Sequence, residues 1–210
     1  MTEKVREEDE GLLPHFFIFS VRMKSMKITI YTDGSSRGNP GPGGWGAIVL
    51  LDNRTQSTDN RHDVGSGRYE EVIELGGRED MTTNNRMELM SAIEGLRHVN
   101  HHHPATLHVE VCTDSQYVKK GMTEWIQGWI KKGWKNSLKK DVLNRDLWEA
   151  LLHEETRLKH TGAAITWKYV PGHSGVPLNE RADAIATGSA DNASHLQLYR
   201  GAYNDYPYLS

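Results

Sequence analysis

Lys27-Ile28-Thr29-Ile30-Tyr31-Thr32-Asp33-Gly34-Ser35 is the stretch from which the rest of the chain is read. Its first six residues alternate in the period-two pattern of a half-buried strand, with β-branched and aromatic side chains enriched. Downstream, Gly38 to Gly46 is a turn-rich segment that leads into a second apolar run, Ala47 to Leu51. Residues 52–68 are polar and read as a long hairpin loop. Tyr69 to Leu75 reads as a third strand, which the Gly76-Gly77 pair is expected to end. Three strands joined by direct links predict an antiparallel meander.

The period then changes. Leu89, Ile93 and Leu96 fall at i, i+4 and i+7, with Met90 widening the stripe, so a helix follows. Asn100 to Pro104, with its three histidines, is expected to break that helix as a solvated loop. Leu107, Val109 and Val111 alternate as a fourth strand. Residues 115–132 and 141–159 read as helical, Ile165, Trp167 and Tyr169 as a fifth strand, and 178–190 as a last helix. Strand–helix–strand succession implies parallel additions to the meander. The expected fold is α/β: a mixed five-stranded sheet, three strands antiparallel and two parallel, flanked by helices. Strands one and four are then neighbours.

Composition leaves the function class open. The chain has 210 residues, 37% hydrophobic and 25% charged, with a formal net charge of −3. That is enough for one domain with a sizeable core. Charge is segregated, however: residues 119–140 hold seven lysines and one acid, Glu124. Such a local basic stretch is a candidate phosphate footprint. A single cysteine, Cys112, rules out an intrachain disulfide and points to a reducing compartment, hence the cytoplasm. It lies in an alternating apolar run and is expected to be buried. The apolar run Leu12 to Val21 is too short to span a bilayer and follows an acidic segment, the wrong sign for a signal peptide. No membrane association is expected. Residues 1–25 read as a poorly ordered extension, with a partner-binding segment as the alternative, and 26–190 as the domain. The tail 191–210 has no clear period. Rich in tyrosine, it reads as a disordered end, with docking on the body or on a partner as the alternative.

Four short motifs carry acids: Asp33 before Gly34, Glu88 in Asn84-Asn85-Arg86-Met87-Glu88, Asp114 after the fourth strand, and Asp183 in Asn179-Glu180-Arg181-Ala182-Asp183. Each has an ordinary structural explanation. Asp33-Gly34 is a common turn pair, Asp114 suits a helix N-cap, Asn85 and Glu88 have capping-box spacing, and Asp183 could be a solvated helix acid. Together they could converge as an oxygen-only ligand set, which selects hard cations such as Mg²⁺ or Mn²⁺. A two-metal carboxylate site performs in-line displacement at phosphorus. His173, between Gly172 and Ser174-Gly175, could shuttle protons beside such a site or simply be exposed. Trp125, Trp129 and Trp134 amid lysines either stack on a ligand or pack in the core.

Read in order, Tyr31-Thr32-Asp33-Gly34-Ser35, Gly38-Asn39-Pro40-Gly41, Thr82-Thr83-Asn84-Asn85-Arg86-Met87-Glu88-Leu89, Thr113-Asp114-Ser115-Gln116, Gly133-Trp134-Lys135, Asp146-Leu147-Trp148, Gly172-His173 and Asn179-Glu180-Arg181-Ala182-Asp183 resemble type 1 ribonuclease H, over about residues 27–189. The resemblance implies an endonuclease that hydrolyses the RNA strand of RNA–DNA hybrids. It implies that Asp33, Glu88, Asp114 and Asp183 hold two Mg²⁺ ions, with Mn²⁺ as an alternative, and that His173 assists turnover. Products would carry 5′-phosphate and 3′-hydroxyl ends. It places Gly38, Asn39, Asn84, Asn85 and Gln116 over the RNA strand, where they sense 2′-hydroxyls. Thr83 and Asn144 match positions that bind a DNA phosphate. The stretch 119–140, with Trp125, Trp129, Lys131, Lys132, Trp134 and Lys135, resembles the family's substrate-binding protrusion, and Asn179 joins the substrate contacts. Met81 stands where relatives can carry an arginine, and the loop 52–68 is longer than usual. A catalytically dead hybrid-binding module is the rival reading, disfavoured by the complete carboxylate set. No protein partner is evident, and a monomer is expected.

Overall fold

The computed structural model describes residues 26–52, 69–103 and 108–209. The expected N-terminal extension, most of the long loop and Leu107 lie outside the described residues. In chain order the elements are β1 (Lys27–Ser36), β2 (Gly41–Asp52), β3 (Glu71–Thr82), α1 (Asn84–His102), β4 (His108–Thr113), α2 (Gln116–Lys120), α3 (Ile126–Lys131), α4 (Arg145–His160), β5 (Ala164–Tyr169), α5 (Pro177–Ala190) and β6 (Arg200–Ala202). The strands form one mixed sheet in the order β5-β4-β1-β2-β3-β6. β1, β2 and β3 are antiparallel, while β4 lies parallel to β1 and β5 parallel to β4.

The architecture matches the reading of the sequence, with a sixth strand added. That strand comes from the tail, which is not a disordered end: Arg200–Ala202 pairs antiparallel with Glu71–Ile73. Strand lengths also differ from expectation. β1 runs through Asp33-Gly34 to Ser36, so no turn forms there. β2 begins at Gly41, inside the glycine-rich segment, and β3 continues past Gly76-Gly77 to Thr82. Glycine weakens a strand in isolation, but these glycines lie in register with paired neighbours, Gly46 opposite Gly76 and Trp45 opposite Gly77. Helix α1 likewise runs on through Asn100 and His101 to His102.

Two cores form, one on each face of the sheet. The larger joins Ile28, Ile30, Val49, Val109 and Val111 of the sheet to Leu89, Ile93 and Leu96 of α1 and to Trp148, Leu151 and Leu158 of α4. Each fully buried aliphatic side chain contributes about 1.5–3 kcal/mol. The smaller joins Ile48, Leu50 and Val72 to Leu178, Ala182 and Ile185 of α5, and Tyr206 of the tail closes it. Cys112 is fully buried, as expected.

The tail docks around one ion pair. Glu74 of β3 meets Arg181 of α5 in a bidentate contact, 2.7 and 2.8 Å. The Tyr206 hydroxyl donates to Glu74 at 2.6 Å, and the Tyr199 backbone N–H donates at 2.9 Å. Arg181 also donates to the Gln197 carbonyl and lies 3.9 Å from the centre of the Tyr208 ring. Both oxygens of the buried Glu74 carboxylate are engaged twice, which is the condition under which such a pair is tolerated.

Candidate active site

Asp33 projects from the middle of β1, with Thr32 beside Thr113 of parallel β4. Asp114, the residue after Thr113, therefore emerges next to Asp33. The N-terminal turn of α1 lies across β1 at Gly34. A Cβ at that glycine would stand 2.2 Å from the Glu88 backbone nitrogen. The missing side chain lets the helix approach closely enough for Glu88 to reach Asp33. Oxygen atoms of Asp33, Glu88 and Asp114 all lie within 4.8 Å of one another.

The ordinary explanations for Asp33, Glu88 and Asp114 fail, while Asp183 stands outside the cluster of three. Helix α1 starts at Asn84 with Thr83 as N-cap, so Asn85 and Glu88 do not form a capping box. Ser115, not Asp114, caps α2 by accepting the Val118 N–H. What holds the acids is different. Gly34 N–H donates to Asp33 at 2.6 Å, and the Asp33 N–H donates to the buried Ser91 hydroxyl at 3.1 Å. Asn84 donates to Glu88 at 3.3 Å, and Asn179 donates to Asp114 at 3.3 Å. Ser91 has no motif of its own, and its role follows from its position one helical turn after Glu88 on the sheet-facing side.

The electrostatics are those of carboxylates packed against one another. Asp33 and Glu88 are both 6% exposed. Burial, followed by the charges of Asp114 and Asp183, pushes Asp33 up from 3.8 to about 8. The Gly34 N–H opposes that shift. Burial, then Asp33 and Asp114, also raises Glu88 well above the carboxylate range. The Glu88 Oε2 atom is buried and has no hydrogen-bond partner. A buried, orphaned carboxylate oxygen facing two further carboxylates fits an oxygen-ligated divalent cation. Asp183, on α5, is half-buried and acts on Asp33 by its charge, and the Thr187 hydroxyl donates to it at 3.4 Å. It lies one turn from Asn179, so the two share the face of α5 that looks at the site.

Known proteins resemble this chain in sequence and in fold. The family model for RNase H matches residues 25–191. A ribonuclease H of Hahella chejuensis is 51% identical over 159 residues, 76% of this chain and 90% of that protein. A ribonuclease HI of Caulobacter vibrioides is 48% identical over 160 residues, again 76% of this chain and 90% of that protein. Among solved structures, LC9-RNase H1, a type 1 RNase H with the type 2 active-site motif, superposes with a TM-score of 0.65 at 32% identity. The match covers 80% of this chain and 74% of that one. The chain belongs to the ribonuclease H family.

Within this ribonuclease H fold the other expected residues fall into three groups. Gly38 and Asn39 in the β1–β2 turn, Asn84 and Asn85 at the start of α1, and Gln116 at the start of α2 are exposed around the carboxylates. His173 is exposed on the loop before α5, in a left-handed conformation with φ 50°. That loop abuts the site, since a Cβ at Gly172 would lie 2.8 Å from Asp114 Oδ2. Thr83 is half-buried, and Asn144 caps α4 with φ 58° and donates to the Tyr117 hydroxyl at 3.3 Å.

The basic protrusion forms the second group. Helices α2 and α3 are joined through a π-turn at Gly121–Trp125. Trp125 and Trp129 stack in a tilted pair with ring centres 5.7 Å apart. With Lys132 and Lys135 they line a cavity of about 410 Å³. Lys131 and Lys132 are exposed, while Lys135 pairs with Asp141.

Two residues are placed otherwise than expected. Trp134 is 8% exposed and sits in the main core, with the Arg145 guanidinium over its ring, so it presents no face for stacking. Asn179 is buried and directed at Asp114, so it orients a carboxylate instead of lying open to a substrate. Met81 is 72% exposed on β3, close in sequence to Thr83.

Proposed function

We propose that this ribonuclease H cuts the RNA strand of RNA–DNA hybrids with two divalent cations, leaving 5′-phosphate and 3′-hydroxyl ends. The observation that carries the reading is the convergence of Asp33, Glu88 and Asp114 oxygens within 4.8 Å, one of them buried and unpartnered. Asp33, Glu88, Asp114 and Asp183 would hold the ions, Mg²⁺ in the first instance. When bound, the ions supply Lewis acidity, activating water and stabilising the departing 3′ oxygen.

The chain's own residues do the rest. Burial and mutual repulsion raise Asp33 and Glu88, so a cation held there would take the place of the protons these two keep. Asn84 and Asn179 hold the Glu88 and Asp114 side chains by hydrogen bonds. Ser91 holds the backbone of Asp33. His173 reaches the site from the outside and moves protons as product leaves. The rim of Gly38, Asn39, Asn84, Asn85 and Gln116 contacts the RNA strand and reads its 2′-hydroxyls. Thr83 and Asn144 bind a phosphate of the DNA strand. Trp125, Trp129, Lys131, Lys132 and Lys135 hold the hybrid through stacking and charge.

No helix among the described residues is long and apolar enough to cross a membrane. We place the enzyme in the cytoplasm, as a monomer.

The test is cleavage of a labelled RNA–DNA hybrid, with and without Mg²⁺, beside matched RNA–RNA, DNA–DNA and single-stranded RNA. Mg²⁺-dependent cutting of the hybrid's RNA strand alone is the expected result. Hybrid binding without cutting would move the weight to a binding module.

A further inference from the structure

The two ends of α1 carry different chemistry. Its N-terminal end offers Glu88 to the carboxylate site. Its last three turns offer Glu94, His98, His101 and His102, at i, i+4, i+7 and i+8, and therefore on one face. All four line one cavity of about 230 Å³, together with Arg97 of the same helix and with Trp45 and Leu75 of the sheet. The His98 and His102 rings lie 4.4 Å apart between centres, with 36° between their planes. The His103 ring lies 5.9 Å from that of His98.

We propose that this face of α1 is a second cation site, built from the His98 and His102 imidazoles, for a borderline transition-metal ion such as Ni²⁺, Zn²⁺ or Cu²⁺. Imidazole nitrogens suit these ions, whereas the carboxylate site suits Mg²⁺ or Mn²⁺. Two imidazoles sharing one ion at about 2.0–2.1 Å each place their nitrogens no more than about 4 Å apart. Rings at i and i+4 with centres 4.4 Å apart reach that separation by small side-chain rotations.

Three further observations support the site. His98 Nε2 is buried and has no hydrogen-bond partner. Burial, then the neighbouring His102 and His103, hold His98 down at about 4, so its ring is neutral and free to ligate at pH 7. The C-terminal end of a helix carries partial negative charge, which favours a cation. The nearby positive charges are offset: Arg97 pairs with Glu94 and Glu154, and Arg200 with Glu71. Glu94 also lines the cavity, where it stays paired with Arg97 and adds negative charge beside the two imidazoles. The ten helical steps from Glu88 to His98 put the two sites about 15 Å apart along the helix.

The test is calorimetric titration of the full chain with Ni²⁺ at pH 7.5, in Mg²⁺ concentrated enough to saturate the carboxylates. One Ni²⁺ ion per chain at micromolar affinity is the expected result. His98→Ala and His102→Ala should each weaken binding by about tenfold or more. Asp33→Asn should leave it unchanged. His102 is exposed, so His102→Ala tests the site even if the His98 variant folds poorly. Wild-type affinity in His102→Ala, loss of the site in Asp33→Asn, or no Ni²⁺ binding by the wild-type chain would each overturn the proposal.

Discussion

Glu74 and Glu88 are the same residue type at nearly the same depth, 4% and 6% exposed, yet their surroundings are opposite. Glu74 receives four hydrogen bonds, two from Arg181, one from Tyr206 and one from the Tyr199 backbone. Its cation is a side chain of the same molecule. Glu88 receives one long bond from Asn84, keeps one oxygen unpartnered and faces Asp33 and Asp114. A satisfied buried carboxylate locks structure. An unsatisfied cluster of them stores repulsion that a soluble cation can relieve, and the fold tolerates that cost where chemistry is done.

That contrast can be broken experimentally, and the largest effect is expected at the unsatisfied site. Asp33→Asn removes a ligand from the cluster and should lower hybrid cleavage by about a thousandfold or more, the equivalent of several kcal/mol of transition-state stabilisation. Binding of the hybrid should survive, and single-turnover assays beside a binding isotherm separate the two. At the satisfied site the effect is on stability. Glu74→Ala leaves Arg181 buried without its partner and should destabilise the fold by about 3–5 kcal/mol, read from the urea midpoint. An unchanged midpoint would mean that the tail does not depend on the pair.

Mg²⁺ sharpens the comparison from the other side. At 100 times its dissociation constant it should stabilise the wild-type protein by about 2.7 kcal/mol and the Asp33→Asn variant by less. Tyr206→Phe removes one donor to the Glu74 carboxylate and should cost about 1.5–3 kcal/mol without affecting the Mg²⁺ response.

The two sites also differ in pH dependence. Folded Asp33 titrates near 8 against 3.8 in an unperturbed chain, so the folded protein holds a proton that the unfolded chain releases. Stability of the metal-free protein should therefore fall as pH rises from about 4 to about 8. Asp33→Asn should flatten that slope and stabilise the metal-free protein at pH 8 by about 1.4 kcal/mol or more, the equivalent of one pKa unit. A metal-free stability that rises with pH across this window would refute the assignment of the buried proton.

Much of the site was legible in the chain because its chemistry is written in side chains. Asp33, Glu88, Asp114 and Asp183 stand in short, distinct motifs, and the strand–helix–strand succession predicted that strands one and four are adjacent if the crossover packs normally, as it does. What the residues alone left open was whether each acid capped, turned or converged. Local spacing serves all three equally, and the choice depends on where the helix begins and how far the strand runs. Trp134 was misplaced for the same reason: tryptophan among lysines has one pattern whether it stacks on a ligand or fills a core.

By itself the sequence determined the order of the elements, the mixed sheet and the identity of the acids, because periodicity and residue chemistry are local properties. Only the tertiary structure decided that the tail becomes a sixth strand clasped on Glu74 and Arg181. It likewise decided that β2 and β3 run through their glycines, that Asn179 faces Asp114, and that five α1 side chains share one cavity. Each of these depends on contacts between residues far apart in the chain, whose energies no local window contains.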